Sequence, residues 1–368
     1  MKKKSPDYIL LTFSALLVFL AILILASVSA ALSQEKFGYP YYYLVHQLLY
    51  GLLPGFILAF IFFRIPIEFL RKIALPLFLL NLIILSLVFI PQLSLKSGGA
   101  KRWLNLGPIS LQPAEFLKIT FLLYFAAWLS SRFNSSLKKR TKDSNSPLLV
   151  FFILLGILGI FLILQPNVGT LSVLFAMALL VYFGSGTPIW QSILIILVGI
   201  SGLISLIKIA PYRAARLLVF LNPETDPLGI GYQIKQSLIA IGSGGIFGLG
   251  LGLSRQKFGF LPQSMQDSIF AIFAEENGFV GAIILILIFL IFVWLGFRVS
   301  KKSSDKFSKL LAMGISSWIG IQAFVNIGAM IGILPITGIP LPFISYGGSH
   351  LIAELIGVGI LLNISRYN

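Results

Sequence analysis

Several apolar runs in this chain reach the roughly 20 consecutive residues needed to cross a hydrocarbon core about 30 Å thick. The first covers 9–32, the last 350–364, and others are spaced between them. Of the 368 residues, 57% are hydrophobic and only 11% are charged, against about 25% charged in an ordinary soluble chain. The chain is therefore expected to be an all-α, polytopic membrane protein with about ten transmembrane helices, forming a single integral-membrane domain over 1–368.

The first run is longer than the cleavable core of a signal peptide, about 7–15 residues. It follows Lys2, Lys3 and Lys4, which predicts a spanning helix with its N-terminus in the cytoplasm. Further spans are expected near 44–63, 73–90, 113–131 and 148–164, then up to about 183, and over 191–209, 268–296, 310–333 and 350–364. Ten spans place both termini in the cytoplasm and leave a large outer loop, about 210–267, between spans seven and eight. Between spans three and four, SLKSGGAKRWLNLGPISLQP carries too many glycines and prolines for a continuing helix.

The chain holds 28 lysines and arginines against 12 acidic residues, a net charge of +16. Basic residues orient membrane proteins by gathering in cytoplasmic loops, and more than half of them do so in this topology, notably in RFNSSLKKRTKDSNS and RVSKKSSDKFSK. The exceptions are concentrated on the outer side: Lys101 and Arg102 in one loop, and Arg213, Arg216, Lys235, Arg255 and Lys257 in another. They point to an anionic ligand or to lipid headgroups, not to nucleic acid. Cysteine is absent, which excludes disulfides and thiolate chemistry. The two histidines, His46 and His350, are too few for a histidine-rich metal centre. No Walker-type loop, GxSxG or HExxH is present, and no βαβ unit surrounds the glycines of IGSGGIFGLGLG, which read as close packing and loop flexibility.

Among so few acidic residues, Asp267 stands where the basic outer loop runs into an apolar segment, in LPQSMQDSIFAIFAEENGFVG. An ionisable group at a membrane boundary is a functional candidate; equally, an aspartate there can cap the helix that follows. Of Glu275 and Glu276, adjacent and so on different faces, at most one is expected to serve the same site. Trp103 beside Lys101 and Arg102 suits a phosphorylated sugar or lipid headgroup, or else anchors the chain at the interface. Glu115 and Lys118, three apart, are expected to pair on one helix face, as are His350 and Glu354, four apart. On an outer face without ATP, a carboxylate could take a proton from an attacking hydroxyl while cations, with or without a divalent metal, stabilise a departing phosphate. The donor would then have to arrive already activated.

Five segments, in order, carry a specific resemblance: GGAKRWLNLGPISLQPAEFLKI, QPNVGT, PYRAARLLVFLNPETDPLGIGYQIKQSLIAIGSGGIFGLGLGLSRQKFGFLP, DSIFAIFAEENGFVG and GILPITGIPLPFISYGGS. Through them the chain resembles the SEDS proteins (shape, elongation, division and sporulation), FtsW more than RodA. The resemblance implies a glycosyltransferase of the bacterial cytoplasmic membrane that polymerises lipid II into glycan strands at the outer face, with undecaprenyl pyrophosphate leaving. It makes Asp267 the catalytic residue and implies substrate-binding roles for Trp103, Glu115 and Lys118. The matched loops add Lys101, Arg102, Arg213, Arg216, Gln236, Ser243, Lys257 and Ser345, of which Arg102, Arg213 and Arg216 are the candidates for pyrophosphate. A divalent cation (Mg or Mn), with unknown ligands, is implied by resemblance only. So is a class B penicillin-binding protein as transpeptidase partner, with other divisome or elongasome proteins. Three positions depart from the family pattern: Gln263 replaces a glutamate, Asn167 an often acidic residue, and His350 a serine. The first two remove carboxylates and put a metal site that depends on them in doubt. Rival readings are a lipid II flippase, with Asp267 and the Glu115–Lys118 pair lining a polar path, and a structural recruiter of other enzymes.

Overall fold

A computed structural model describes residues 4–97, 100–105, 107, 110–134, 146–209 and 211–367. Lys2, Lys3 and the cluster Lys138, Lys139, Arg140 and Lys142 of the expected cytoplasmic loop lie outside the described residues.

Ten apolar helices carry the fold: α1 (Tyr8–Phe37), α2 (Tyr42–Arg64), α3 (Ile67–Leu87), α4 (Pro113–Asn134), α5 (Ser146–Leu164), α6 (Val168–Gly184), α7 (Ile189–Ile209), and, after the long loop, α10 (Ile269–Lys302), α11 (Lys306–Met330) and α12 (Gly348–Ser365). Nine of these are long enough and apolar enough to span a bilayer, and α6 is a shorter apolar helix, all among the described residues. Local chemistry fixes several starts. The Asp7 carboxylate accepts from the N–H groups of Ile9 and Leu10, at 3.1 and 3.2 Å, and Asp305 accepts from Ser308 N–H at 2.9 Å. Each satisfies donors that a helix N-terminus otherwise leaves free. The third span begins at Ile67, earlier than hydropathy suggests, because Glu68, Arg71 and Lys72 are helical although polar.

α12, α11 and α4 are largely buried at the centre, and α7 and α2 mostly face outward. Among apolar lipids, helices associate by close packing of small residues. At Gly359 of α12 an added Cβ would lie 2.3 Å from the Ala59 carbonyl oxygen, so only glycine lets α12 and α2 approach this closely.

The stretch between α3 and α4, non-helical as expected, is a three-stranded antiparallel sheet, β1 (Ser94–Ser97), β2 (Ala100–Asn105) and β3 (Ser110–Leu111), in the order β1-β2-β3. Lys96 pairs with Lys101 and Leu95 with Trp103, so Arg102 is an extra residue without an opposite number. A bulge of this kind re-aims a side chain. The loop after α7 contains two short helices, α8 (Pro211–Leu221) and α9 (Ile230–Ser243).

The two chain ends and the end of α10 share one face. Asp7 N–H donates to Ser365 Oγ at 3.0 Å, and Arg298 pairs with Asp7 at 3.2 Å. Asn326, whose amide reaches the Asp267 carbonyl, stands 20 residues into α11, about 30 Å from the end beside the termini at 1.5 Å per residue. Asp267 therefore lies towards the face opposite the termini.

Candidate functional site

Asp267 sits at the end of a loop held by main-chain anchors. Gln263, in the left-handed region (φ 52°), accepts through its carbonyl from Gln266 and Ser268 N–H at 2.9 and 3.3 Å. Ser345 Oγ donates to the Gln266 carbonyl at 2.5 Å, and Tyr346 N–H to that of Met265 at 2.8 Å. The Asn326 side-chain amide of α11 donates to the carbonyl of Asp267 itself at 2.8 Å. The residue preceding α10 is Ser268, and no side chain caps this helix, so the capping role expected for Asp267 is not present.

The carboxylate is a different matter. Asp267 is 8% exposed, and its Oδ1 has no hydrogen-bond partner. Burial pushes its pKa up to about 6, against the opposing pull of its own backbone, the Gln233 amide and Arg216. An unpaired buried carboxylate is costly, and native structures satisfy almost all such groups. A carboxylate titrating close to neutrality suits a general base. One wall beside it is bare main chain: a Cβ at Gly338 (φ 71°) would come within 3.9 Å of Asp267 Oδ2.

The cations gather from two directions. The bulge sends Arg102 away from its strand, where Nε donates to the Gln165 carbonyl at 3.1 Å and Nη2 to that of Pro166 at 2.5 Å. Its pKa is lowered by burial and then by the charge of Arg216. Arg216 donates to the Ile336 carbonyl at 3.3 Å and is the charge felt by Asp267. Arg213 turns elsewhere, donating to Leu206 and Tyr212 at 3.0 and 2.9 Å. Lys101 is exposed, whereas Trp103 and Gln236 are partly buried. A polar cavity of about 50 Å³ opens among Arg102, Gln112, Glu115, Lys118, Asn167, Gln322 and the main chain at Gly338–Pro340.

Below the cavity runs a buried polar network. Glu115 and Lys118 form the expected pair, at 2.7 Å. Lys118 also donates to Gln322 Oε1 at 2.8 Å, and Gln322 in turn donates to the Pro340 carbonyl and Glu354, at 3.1 and 3.2 Å. Glu354 accepts from Phe343 N–H at 2.6 Å and lies 3.5 Å from His350 Nδ1, the other pair expected. Neither nitrogen of His350 has a hydrogen-bond partner.

The glutamates following Asp267 do not reach the site, where at most one of them was expected. Glu275 accepts from Ser254 Oγ, from Arg255 and Gln256 N–H at 3.1 and 3.3 Å, and from Ser243 Oγ at 3.4 Å. Glu276 pairs with Lys257 at 3.0 Å and accepts from Ser27. Lys257 and Ser243, expected at the substrate, are thereby committed to these glutamates and kept from the Asp267 cavity. α10 is broken there at Gly278 (φ 67°), where a Cβ would meet Gly248 N at 2.3 Å. The glycine-rich segment is thus a close-packed seam.

No cluster of three or more His, Asp or Glu side chains able to hold a metal exists among the described residues. Asp267 is faced by an arginine and amides, and the replaced positions Gln263 and Asn167 add no carboxylate. These residues do not fit a metal centre built from side chains. Gln233, Gln322 and Asn326 were missed from sequence. The readable signal was an amide pair four residues apart, Gln322 and Asn326, in the otherwise apolar stretch 319–330.

The model of the FtsW/RodA/SpoVE family, described as cell cycle proteins, matches residues 7–368. Stage V sporulation protein E of Bacillus subtilis is 39% identical over 370 residues, covering 100% of this chain and 99% of its own. The probable peptidoglycan glycosyltransferase FtsW of Coxiella burnetii is 39% identical over 352 residues, covering 95% and 93%. A chain of a solved peptidoglycan synthase complex superposes with a TM-score of 0.77 at 29% identity, covering 98% of both chains. The rod shape determining protein RodA of Thermus thermophilus does so with a TM-score of 0.70 at 27% identity, covering 99% and 98%.

Proposed function

Since this chain belongs to the FtsW/RodA/SpoVE family of cell cycle proteins, we propose that it works as that family's peptidoglycan glycosyltransferases do, joining lipid II into glycan strands. The observation that carries the mechanism is the buried Asp267 carboxylate, which leaves one oxygen without a partner and faces Gly338 in the wall of a basic cavity.

Asp267 takes the proton from the attacking hydroxyl of one sugar as that oxygen bonds to the anomeric carbon of the other substrate. The bond from that carbon to the lipid pyrophosphate breaks, and the pyrophosphate leaves with the electron pair. Arg102 and Arg216, with the exposed Lys101 next to Arg102 on β2, stabilise the charge that develops on it. Their guanidinium groups need no reorganisation where the main chain already holds them. The Glu115–Lys118–Gln322 network and Asn167 form the floor of the cavity, and Trp103 follows Arg102 on β2. Ser345 supports the loops around the cavity. No step is routed through a divalent cation.

The site lies opposite the termini, and in this reading it faces outward from the cytoplasmic membrane, with the termini inside. A class B penicillin-binding protein of the divisome or elongasome would cross-link the strands, and membrane lipids surround the chain. A flippase would need a polar path through the membrane; the two charge clusters beneath the site are closed by mutual pairing, which disfavours it.

The test is Asp267→Asn in purified protein with lipid II and its partner. Loss of strands with the fold intact is expected, by about 10²–10⁴-fold as for a general base. Undiminished polymer would remove Asp267 from the chemistry, and lipid movement across liposomes without polymer from the unaltered protein would favour transport.

A further inference from the structure

Asp267 Oδ1 has no partner, and the residue is also anchored through its main chain. The anchor on its own carbonyl is Asn326, buried on α11. Both hydrogens of one amide nitrogen are used there. Nδ2 donates to the Asp267 carbonyl and to the Ile339 carbonyl, each at 2.8 Å. Ile339 follows Gly338, the main-chain wall of the Asp267 pocket, and both residues line the polar cavity. One amide thus spans the gap between the segment that carries the carboxylate and the segment the carboxylate faces. One turn earlier on the same helix, Gln322 donates to the Pro340 carbonyl and accepts from Lys118. α11 therefore sets the spacing between the cavity floor, its wall and Asp267.

We propose that Asn326 is a positioning residue for Asp267, holding the carboxylate against the wall of the cavity by fixing the Asp267 and Ile339 main chains to each other. The role as a base rests on the glycosyltransferase reading; the clamp does not. Without the amide, the two carbonyls lose a shared donor, the segments part and Asp267 becomes hydrated. Of the groups around Asp267, Arg216 from α8 is charged, whereas Gln233 from α9, Asn326 from α11 and the main chain at Gly338 are neutral.

The variants are Asn326→Leu, which removes both donors without burying a charge, and Asn326→Gln, which retains them. Two readouts are taken. The first is the infrared band of the protonated Asp267 carboxyl, identified by its absence in Asp267→Asn and titrated with pH. The second is lipid II polymerisation. The band of the unaltered protein should titrate near pH 6, that of Asn326→Leu about one unit lower as water reaches the carboxylate, and that of Asn326→Gln back near the first. Asn326→Leu should also lose about 10- to 100-fold in kcat, the scale of misplacing a catalytic group, with KM for lipid II within about twofold. An unmoved titration in a folded Asn326→Leu protein would overturn the clamp. So would a lower kcat that Asn326→Gln does not restore. Should the unaltered protein make no polymer, the functional reading fails, and the infrared titration alone still decides the clamp.

Discussion

Two carboxylate environments lie about two helical turns apart in the same DSIFAIFAEE segment, and they are built in opposite ways. Glu275 and Glu276 are saturated, by serine hydroxyls and backbone N–H groups in one case and by Lys257 and Ser27 in the other. Asp267 is buried as well but keeps an oxygen without a partner. The first pair spends its bonding capacity on holding the glycine-rich seam to α10 and α1. The second keeps its capacity free for something the folded chain does not supply. Buried charge by itself therefore does not mark a functional group; buried charge left incomplete does.

Breaking the saturated side should have the largest effect on stability. Glu276→Ala leaves Lys257 charged and alone in the interior, and loss of one partner of a buried pair costs about 3–5 kcal/mol. Thermal unfolding in detergent should show it as a lower midpoint. Glu276→Leu combined with Lys257→Met should recover most of the loss, because an apolar pair restores the balance of charge.

The incomplete side should respond with the opposite sign. The pKa of Asp267 is raised in the fold from 3.8 to about 6, so the fold favours its protonated form. Its favourable state is fully present below about 4 and lost as pH rises through 6. Asp267→Asn should therefore stabilise the protein by about 1–3 kcal/mol above pH 6, with the gain shrinking to little near pH 4. Unfolding midpoints of the two proteins across that range measure it. A variant that gains stability while losing polymer would be the mirror image of Glu276→Ala.

A smaller change probes the wall. Gly338 has φ 71°, a conformation that costs a side chain about 1–2 kcal/mol. Gly338→Ala adds a methyl group facing Asp267 Oδ2. It should lower the unfolding midpoint modestly and reduce kcat by more than that loss explains, as seen by comparing activity well below the midpoint.

The membrane spans were legible because their signal is local: enough apolar residues in a row. The candidacy of Asp267 was legible because the chain has only 12 acidic residues and this one stands where a basic outer loop enters an apolar span. Its environment was not. On position alone capping and catalysis looked equal, the resemblance favoured catalysis, and the start of α10 proved uncapped. Glu275 and Glu276 were read from the geometry of an uninterrupted helix, but α10 breaks at Gly278 and the seam folds back onto it. Lys257 lay among basic loop residues and gave no hint of a partner on α10. The sheet holding Arg102 was also hidden, because its strands are short. Asn326 joins segments distant in sequence, and only their convergence gives its amide a role.

The most direct measurement is the pH dependence of kcat/KM for lipid II polymerisation by the purified protein with its partner. If Asp267 must be ionised to accept a proton, the rate should rise as pH increases through about 6 and then level, with the limb tracking the infrared titration of the same carboxyl. A limb in the ordinary carboxylate range near 4, or a rate indifferent to pH across this interval, would contradict the assignment of Asp267 as the base.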